Sequence, residues 1–122
     1  MPQTVFERVG GFATVRKVVS AFYDKVLDSP RLAGYFTDVE MPRLIDHQTK
    51  FVAQVMQGPA SYTDERLHRV HSNMAISHGD FLEAADLLCE AMEDVGLADD
   101  VVTFVRDEVL RREPFIVTRQ DA

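Results

Sequence analysis

The chain has 122 residues, 46% of them hydrophobic and 27% charged, which predicts one globular domain over residues 1–122 rather than a disordered chain. Its formal net charge of -7 argues against nucleic acid or an anionic membrane surface as a partner. No apolar run approaches the roughly 20 residues of a membrane-spanning helix, and residues 1–11 show no leader pattern, so we expect a cytoplasmic protein.

Apolar side chains recur at the three- and four-residue spacing of helices that bury one face. The predicted helices span residues 4–9, 12–27, 41–57, 64–73, 79–95 and 99–117. The predicted buried face of the second helix includes both Val26 and Leu27. Glycines separate several of them: the pair Gly10-Gly11 divides the first two, and Gly96 ends the fifth. Pro114 is predicted to bend or break the last helix. No segment alternates like a strand, so the predicted fold class is all-α.

Polar side chains interrupt three of these apolar faces. His71 lies in the apolar stripe of the fourth predicted helix, where it is either a core histidine bonded to backbone or a metal ligand. Gln48 follows Leu44 by four residues on the third helix, and His47 lies at the border of that face. Tyr23 can bury its ring in the second helix while its hydroxyl seeks a partner. Together these residues suggest a cavity that carries chemistry.

Several short stretches match one protein family in their order and spacing. They are Val9-Gly10-Gly11, residues 22–27, residues 28–32, Tyr35-Phe36, residues 41–51, Gly58-Pro59 with Tyr62, and residues 67–76 with Phe81. On these stretches the chain resembles the group I truncated haemoglobins from Val5 to about Val117. That family often has two glycines before the proline, whereas here Gln57 precedes Gly58. The resemblance implies a two-over-two helical sandwich around haem b (iron protoporphyrin IX).

The resemblance also implies roles for single residues. His71 would be the proximal iron ligand, and Phe36 would pack flat against the porphyrin. Tyr23 and Gln48 would form the distal pair that faces a bound ligand, with Leu44 as a wall of the pocket. The other implied haem contacts are Met41, Phe51, Leu67, Met74, Ile76 and Phe81.

The implied activity is reversible binding of O2, NO and CO. Hydrogen bonds from Tyr23 and Gln48 to a charge-bearing ligand are worth about 1.5–3 kcal/mol each, which predicts tight oxygen binding and slow release. Slow release suits a protein that detoxifies nitric oxide and reactive species better than one that transports oxygen. The expected enzymatic activity would be that of an NO dioxygenase. Because no flavin or nicotinamide motif is present, we expect a separate reductase. We expect a monomer or weak dimer.

Three other interpretations stay open at this point. His47 either reaches a haem propionate or is a second axial ligand, and a six-coordinate haem would favour electron transfer, redox sensing or peroxidase-like protection. A non-haem metal site could use His68, His71 and His78, although no ligand motif supports it and the single cysteine, Cys89, provides no CxxC site. A helical interaction module without a cofactor would satisfy Gln48 and His71 through backbone bonds. We assign Cys89 no role beyond packing.

Overall fold

The computed structural model describes residues 3–59 and 75–117, and within these ranges it is helical without any strand. The elements are α1 (Val5–Val9), α2 (Phe12–Asp28), a 3₁₀ helix (Ala33–Phe36), α3 (Met41–Val55), α4 (His78–Val95), α5 (Asp99–Arg111) and α6 (Glu113–Ile116). The all-α prediction is therefore confirmed. The predicted helix over residues 64–73, which includes His71, lies outside the described residues.

Local capping interactions explain where several helices begin and end. Thr4 and Glu7 form a reciprocal capping box at the start of α1, with both side chain–backbone distances at 3.1 Å. Ser77 caps α4 through its side chain, and Gly96 ends that helix in the left-handed conformation that glycine adopts without strain. Pro42 stands in the first turn of α3, where its missing N–H costs no helical hydrogen bond.

Helix α2 is the centre of the packing, because it contacts both α3 and α4, and α4 in turn packs against α5. The most deeply buried large side chains come from α2, α4 and α5 and from the residue that follows α3: Val15, Val18, Val19, Val26, Met56, Met92 and Val105. None of the helices in residues 3–59 and 75–117 is long and apolar enough to cross a membrane.

One detail of the predicted helices differs from the structure, and the predicted interruption near Pro114 is present. Leu27 was placed on the buried face of α2, but it is 44% exposed while Val26 is 1% exposed. Neighbouring residues on a helix point about 100° apart. In the middle of α2 the core covers both Val18 and Val19, whereas near its end only the side of Val26 is covered. The last predicted helix is divided: α5 ends at Arg111, and Pro114 lies in the first turn of the short α6. Pro114 therefore breaks the helix, as its ring geometry requires.

The turn after α3 packs tightly against α1. The Gly58 N–H donates to the Ala53 carbonyl at 2.7 Å, and the Phe6 N–H donates to the Met56 carbonyl at 2.8 Å. A Cβ at Gly58 would lie 2.6 Å from the Phe6 ring, so only glycine fits without movement. Gln57, just before it, has a φ of 69°, in the left-handed region that glycine also favours.

Candidate functional site

A cavity opens between α2, α3 and α4, and the 3₁₀ helix closes one side of it. Its volume is about 150 Å³. With the solvent-filled space at its open mouth included, the volume is about 1000 Å³. Most of its lining is aliphatic or aromatic, and the four polar residues in the described lining are Tyr23, Tyr35, Gln48 and Asp80. Apolar walls with a few polar groups are typical of sites for small molecules and cofactors.

Seven residues that were predicted for the site line this cavity: Tyr23, Phe36, Leu44, Gln48, Phe51, Ile76 and Phe81. Met41 packs against the core and His47 is partly buried, but neither is among the lining residues. Leu67, His71 and Met74 lie outside the described residues, so the proximal ligand stays a prediction. The structure thus brings together side chains that lie up to 58 positions apart, from Tyr23 to Phe81.

Tyr23 is held in the wall of the cavity by the rings around it. Its side chain is 5% exposed, and its ring makes edge-on contacts with Phe22 and Phe36 at centroid distances of 4.8 and 5.6 Å. Edge-on aromatic pairs at such distances are favourable and fix the ring orientation. Gln48 is contributed by α3, and so an O–H group and an amide from different helices line one apolar cavity.

Two polar residues of the lining, Tyr35 and Asp80, were not predicted as site residues from the sequence. Asp80, in the first turn of α4, is 8% exposed and accepts a hydrogen bond from the Tyr35 hydroxyl at 2.5 Å. The Arg31 Nε–H donates to the other carboxylate oxygen. Burial on its own raises the pKa of Asp80, but the hydrogen bonds from Tyr35 and Arg31 and the Arg31 charge outweigh burial, so this pKa lies below its ordinary value.

The sequence signal at Asp80 was ambiguous. An acidic residue in the first turn of a helix is common because it interacts favourably with the free N–H groups there, so Asp80 resembled an ordinary helix start. Its partners Tyr35 and Arg31 lie 45 and 49 residues earlier in the chain. No local pattern connects positions that far apart.

The lining has the apolar, aromatic character of a porphyrin site. A large, flat, apolar ring matches walls built from Phe36, Phe51 and Phe81. By contrast, residues 3–59 and 75–117 contain no group of three or more His, Cys, Asp or Glu side chains that could hold a metal ion. His78, one member of the alternative metal site, lies with its Nδ1 2.5 Å from Glu113 Oε2, and the other two members lie outside the described residues.

Comparisons with known proteins agree with this geometry. The model of the bacterial-like globin family matches residues 4–112. A group 1 truncated haemoglobin from Mycolicibacterium paratuberculosis is 31% identical over 117 residues, covering 96% of this chain and 86% of the relative. The 2/2 haemoglobin from Synechococcus sp. PCC 7002 superposes with a TM-score of 0.87 at 22% identity, covering 96% of this chain and all of that one.

The fold extends beyond group 1. A group II truncated haemoglobin from Bacillus anthracis superposes with a TM-score of 0.84 at 26% identity, covering 100% of this chain and 97% of that one. The two-over-two fold and the resemblance to truncated haemoglobins are therefore confirmed. The chain belongs to the bacterial-like globin family, a family of haem-binding proteins.

Proposed function

We propose that this chain holds haem b through His71 and uses Tyr23 and Gln48 to retain a diatomic gas, O2 above all, in the cavity. The observation that carries the proposal is that Tyr23 and Gln48, from α2 and α3, line the same largely apolar cavity as Phe36. The family membership supports the cofactor, and the proximal role of His71 follows from the resemblance in its sequence segment.

The described residues would hold the porphyrin mainly through apolar contact. Phe36, Phe51 and Phe81 offer aromatic surface, while Leu44 and Ile76 extend the walls. Burial of apolar area at about 25 cal/mol per Å² makes such contact the main source of affinity. When bound, haem would supply an iron atom that binds O2, NO or CO.

Tyr23 and Gln48 would then act as hydrogen-bond donors to the gas. A ligand that draws negative charge toward itself accepts stronger hydrogen bonds, worth about 1.5–3 kcal/mol each. The apolar lining strengthens them further, because little water competes for the same donors. Since the Tyr23 ring is already fixed by Phe22 and Phe36, its hydroxyl pays little ordering entropy when it donates.

Strong retention of O2 favours its consumption over its delivery. We propose that the protein converts nitric oxide to nitrate: one NO, one O2 and one electron give one nitrate ion. A separate reductase in the cytoplasm would supply the electron, because the sequence carries no flavin or nicotinamide motif. This activity would protect a cell from nitric oxide and related reactive species.

The placement of His47 is consistent with gas binding in this proposal. It precedes Gln48 on α3 and is partly buried, yet it is not among the described residues that line the cavity. This placement suits contact with a propionate at the mouth better than coordination of iron inside. A ferric and reduced spectrum that His47→Ala leaves unchanged would agree with that role, whereas a change from six- to five-coordinate bands would favour the electron-transfer or redox-sensing alternative.

The direct test is the absorption spectrum of the purified protein, first ferric, then reduced with dithionite, then exposed to carbon monoxide. We expect a Soret band that shifts with carbon monoxide and, with His71→Ala, a loss of haem affinity. A wild-type protein that shows no Soret band after incubation with hemin would overturn the proposal. Consumption of nitric oxide by the oxygenated protein, with nitrate as the product, tests the reaction itself.

A further inference from the structure

Asp80 is the only charged residue among the described residues that line the cavity. The other polar members of that lining, Tyr23, Tyr35 and Gln48, are uncharged at neutral pH. A buried charge is costly unless a specific arrangement stabilises it, so this position requires an explanation.

The contacts of Asp80 are those of an ionised carboxylate. The Tyr35 hydroxyl donates to Oδ2 at 2.5 Å, and the Arg31 Nε–H donates to Oδ1. Both partners are donors, and one of them is the Arg31 cation, so together they stabilise the ionised form of the carboxyl group over the neutral form. Asp80 therefore holds a negative charge on the cavity wall.

The positive partner does not cancel this charge inside the cavity. The Asp80 side chain is 11% exposed, whereas the Arg31 side chain is 56% exposed and is not among the lining residues. Water screens an exposed charge much more strongly than a buried one. The potential inside the cavity is consequently set more by Asp80 than by Arg31.

We propose that Asp80 tunes the reduction potential of the haem in this cavity, by placing a negative charge on the wall that favours the ferric over the ferrous state. This inference rests on the proposed haem binding. A fixed negative charge stabilises the more positively charged of two oxidation states through Coulomb attraction, and this lowers the reduction potential. In this chain Asp80 would make the ferrous state harder to reach, so the reductase partner would have to be a stronger donor.

The expected size follows from simple electrostatics. A unit charge about 10 Å away, in an interior of effective dielectric constant about 20, changes a one-electron equilibrium by roughly tenfold. A tenfold change in that equilibrium corresponds to about 59 mV.

The experiment is a spectroelectrochemical titration of three hemin-loaded variants beside the wild-type protein. Asp80→Asn keeps an acceptor for Tyr35 and removes the charge, and we expect it to favour the ferrous state by about tenfold. Arg31→Gln breaks the same ion pair from its exposed side and should shift the equilibrium toward the ferric state. Glu83→Gln is the matched control, because Glu83 lies one turn further along α4, accepts from Ser29 and is not a lining residue.

The opposite signs separate electrostatics from structure. Loss of the contact alone would move Asp80→Asn and Arg31→Gln in the same direction, and that result, or no shift in either, overturns the inference. A Glu83→Gln shift as large as that of Asp80→Asn overturns it too. If Asp80→Asn fails to fold, Arg31→Gln decides the matter through the sign of its shift.

Haem uptake distinguishes the two proposals. Wild-type protein that takes up no hemin overturns both the proposed function and this inference. Protein that takes up hemin normally, with potentials that do not depend on Asp80 or Arg31, overturns this inference alone. Urea unfolding of the apoproteins provides a readout independent of the cofactor. If the potential shift grew in proportion to the loss of stability over Asp80→Asn and further substitutions, the electrostatic explanation would also be contradicted.

Discussion

Replacing Tyr23 with phenylalanine removes a hydroxyl from the cavity wall and leaves the ring in place. The ring is 5% exposed and makes edge-on contacts with Phe22 and Phe36 at 4.8 and 5.6 Å. Phenylalanine preserves both contacts and the buried volume, so the fold and the haem affinity should change little. The variant therefore isolates the proposed donor.

The magnitude follows from the hydrogen bond that is lost. A bond to a charge-bearing acceptor contributes about 1.5–3 kcal/mol, or about 10- to 150-fold in a rate when it acts on the bound state. Because Tyr23 is buried, bulk water does not readily replace the missing donor. We expect O2 to dissociate at least about tenfold faster from Tyr23→Phe. Carbon monoxide draws less charge toward itself, so its dissociation should change much less.

The assay is stopped-flow mixing of the oxygenated protein with excess carbon monoxide, followed at the Soret band. Thr49→Val is a matched control, since it also removes a buried hydroxyl, one that donates to the Ile45 carbonyl at 2.7 Å and lies outside the cavity lining. The control should leave O2 dissociation within about threefold of wild type. An unchanged O2 rate in Tyr23→Phe, or equal acceleration for both gases, would refute the reasoning.

Three further predictions concern stability and can be checked by urea unfolding. Gly58→Ala should destabilise the protein by about 1–3 kcal/mol, because the new Cβ would lie 2.6 Å from the Phe6 ring; an unchanged midpoint would contradict this packing. Gln57→Gly should stabilise it by up to about 1 kcal/mol, since Gln57 has a φ of 69°, and a loss of stability would contradict the strain argument. The folded-state pKa of Asp80 lies below its unfolded value of about 3.9, so its stabilisation is present above that pH and is lost as the pH falls through the folded pKa. Asp80→Asn should therefore be less stable than wild type at pH 7, and the difference should shrink below about pH 4.

Most of the helical framework could be predicted because its signals are local. The apolar spacing in α2 and α4 and the stop at Gly96 depend on residues within a few turns of each other. The same signals place Tyr23 and Gln48 on inward faces. They do not show where along a helix the core stops covering the apolar face, and for that reason the predicted orientation of Leu27 was wrong.

The parts of the site that were missed depend on contacts distant in the sequence. Asp80 becomes a feature of the cavity only because the 3₁₀ helix brings Tyr35 against the start of α4, and Arg31 reaches the same carboxylate. Likewise, the resemblance assigned Met41, His47 and Phe51 alike to the haem site, whereas of these three only Phe51 lines the cavity. Which residues line the cavity depends on how α3 packs against α2. The apolar periodicity of a single helix gives no information about that packing.

The polar residues of the cavity lining differ in the charge they offer. Tyr23 and Gln48 provide groups that can donate hydrogen bonds, and Asp80 provides a negative charge. Donors favour negative charge on a gas ligand, and a carboxylate favours positive charge on an iron atom. Under the two proposals these effects act in the same direction, since both favour movement of electron density from the iron toward the ligand. Such a cavity would hold O2 strongly and give up an electron readily, which suits repeated consumption of O2 with an external electron donor better than its storage.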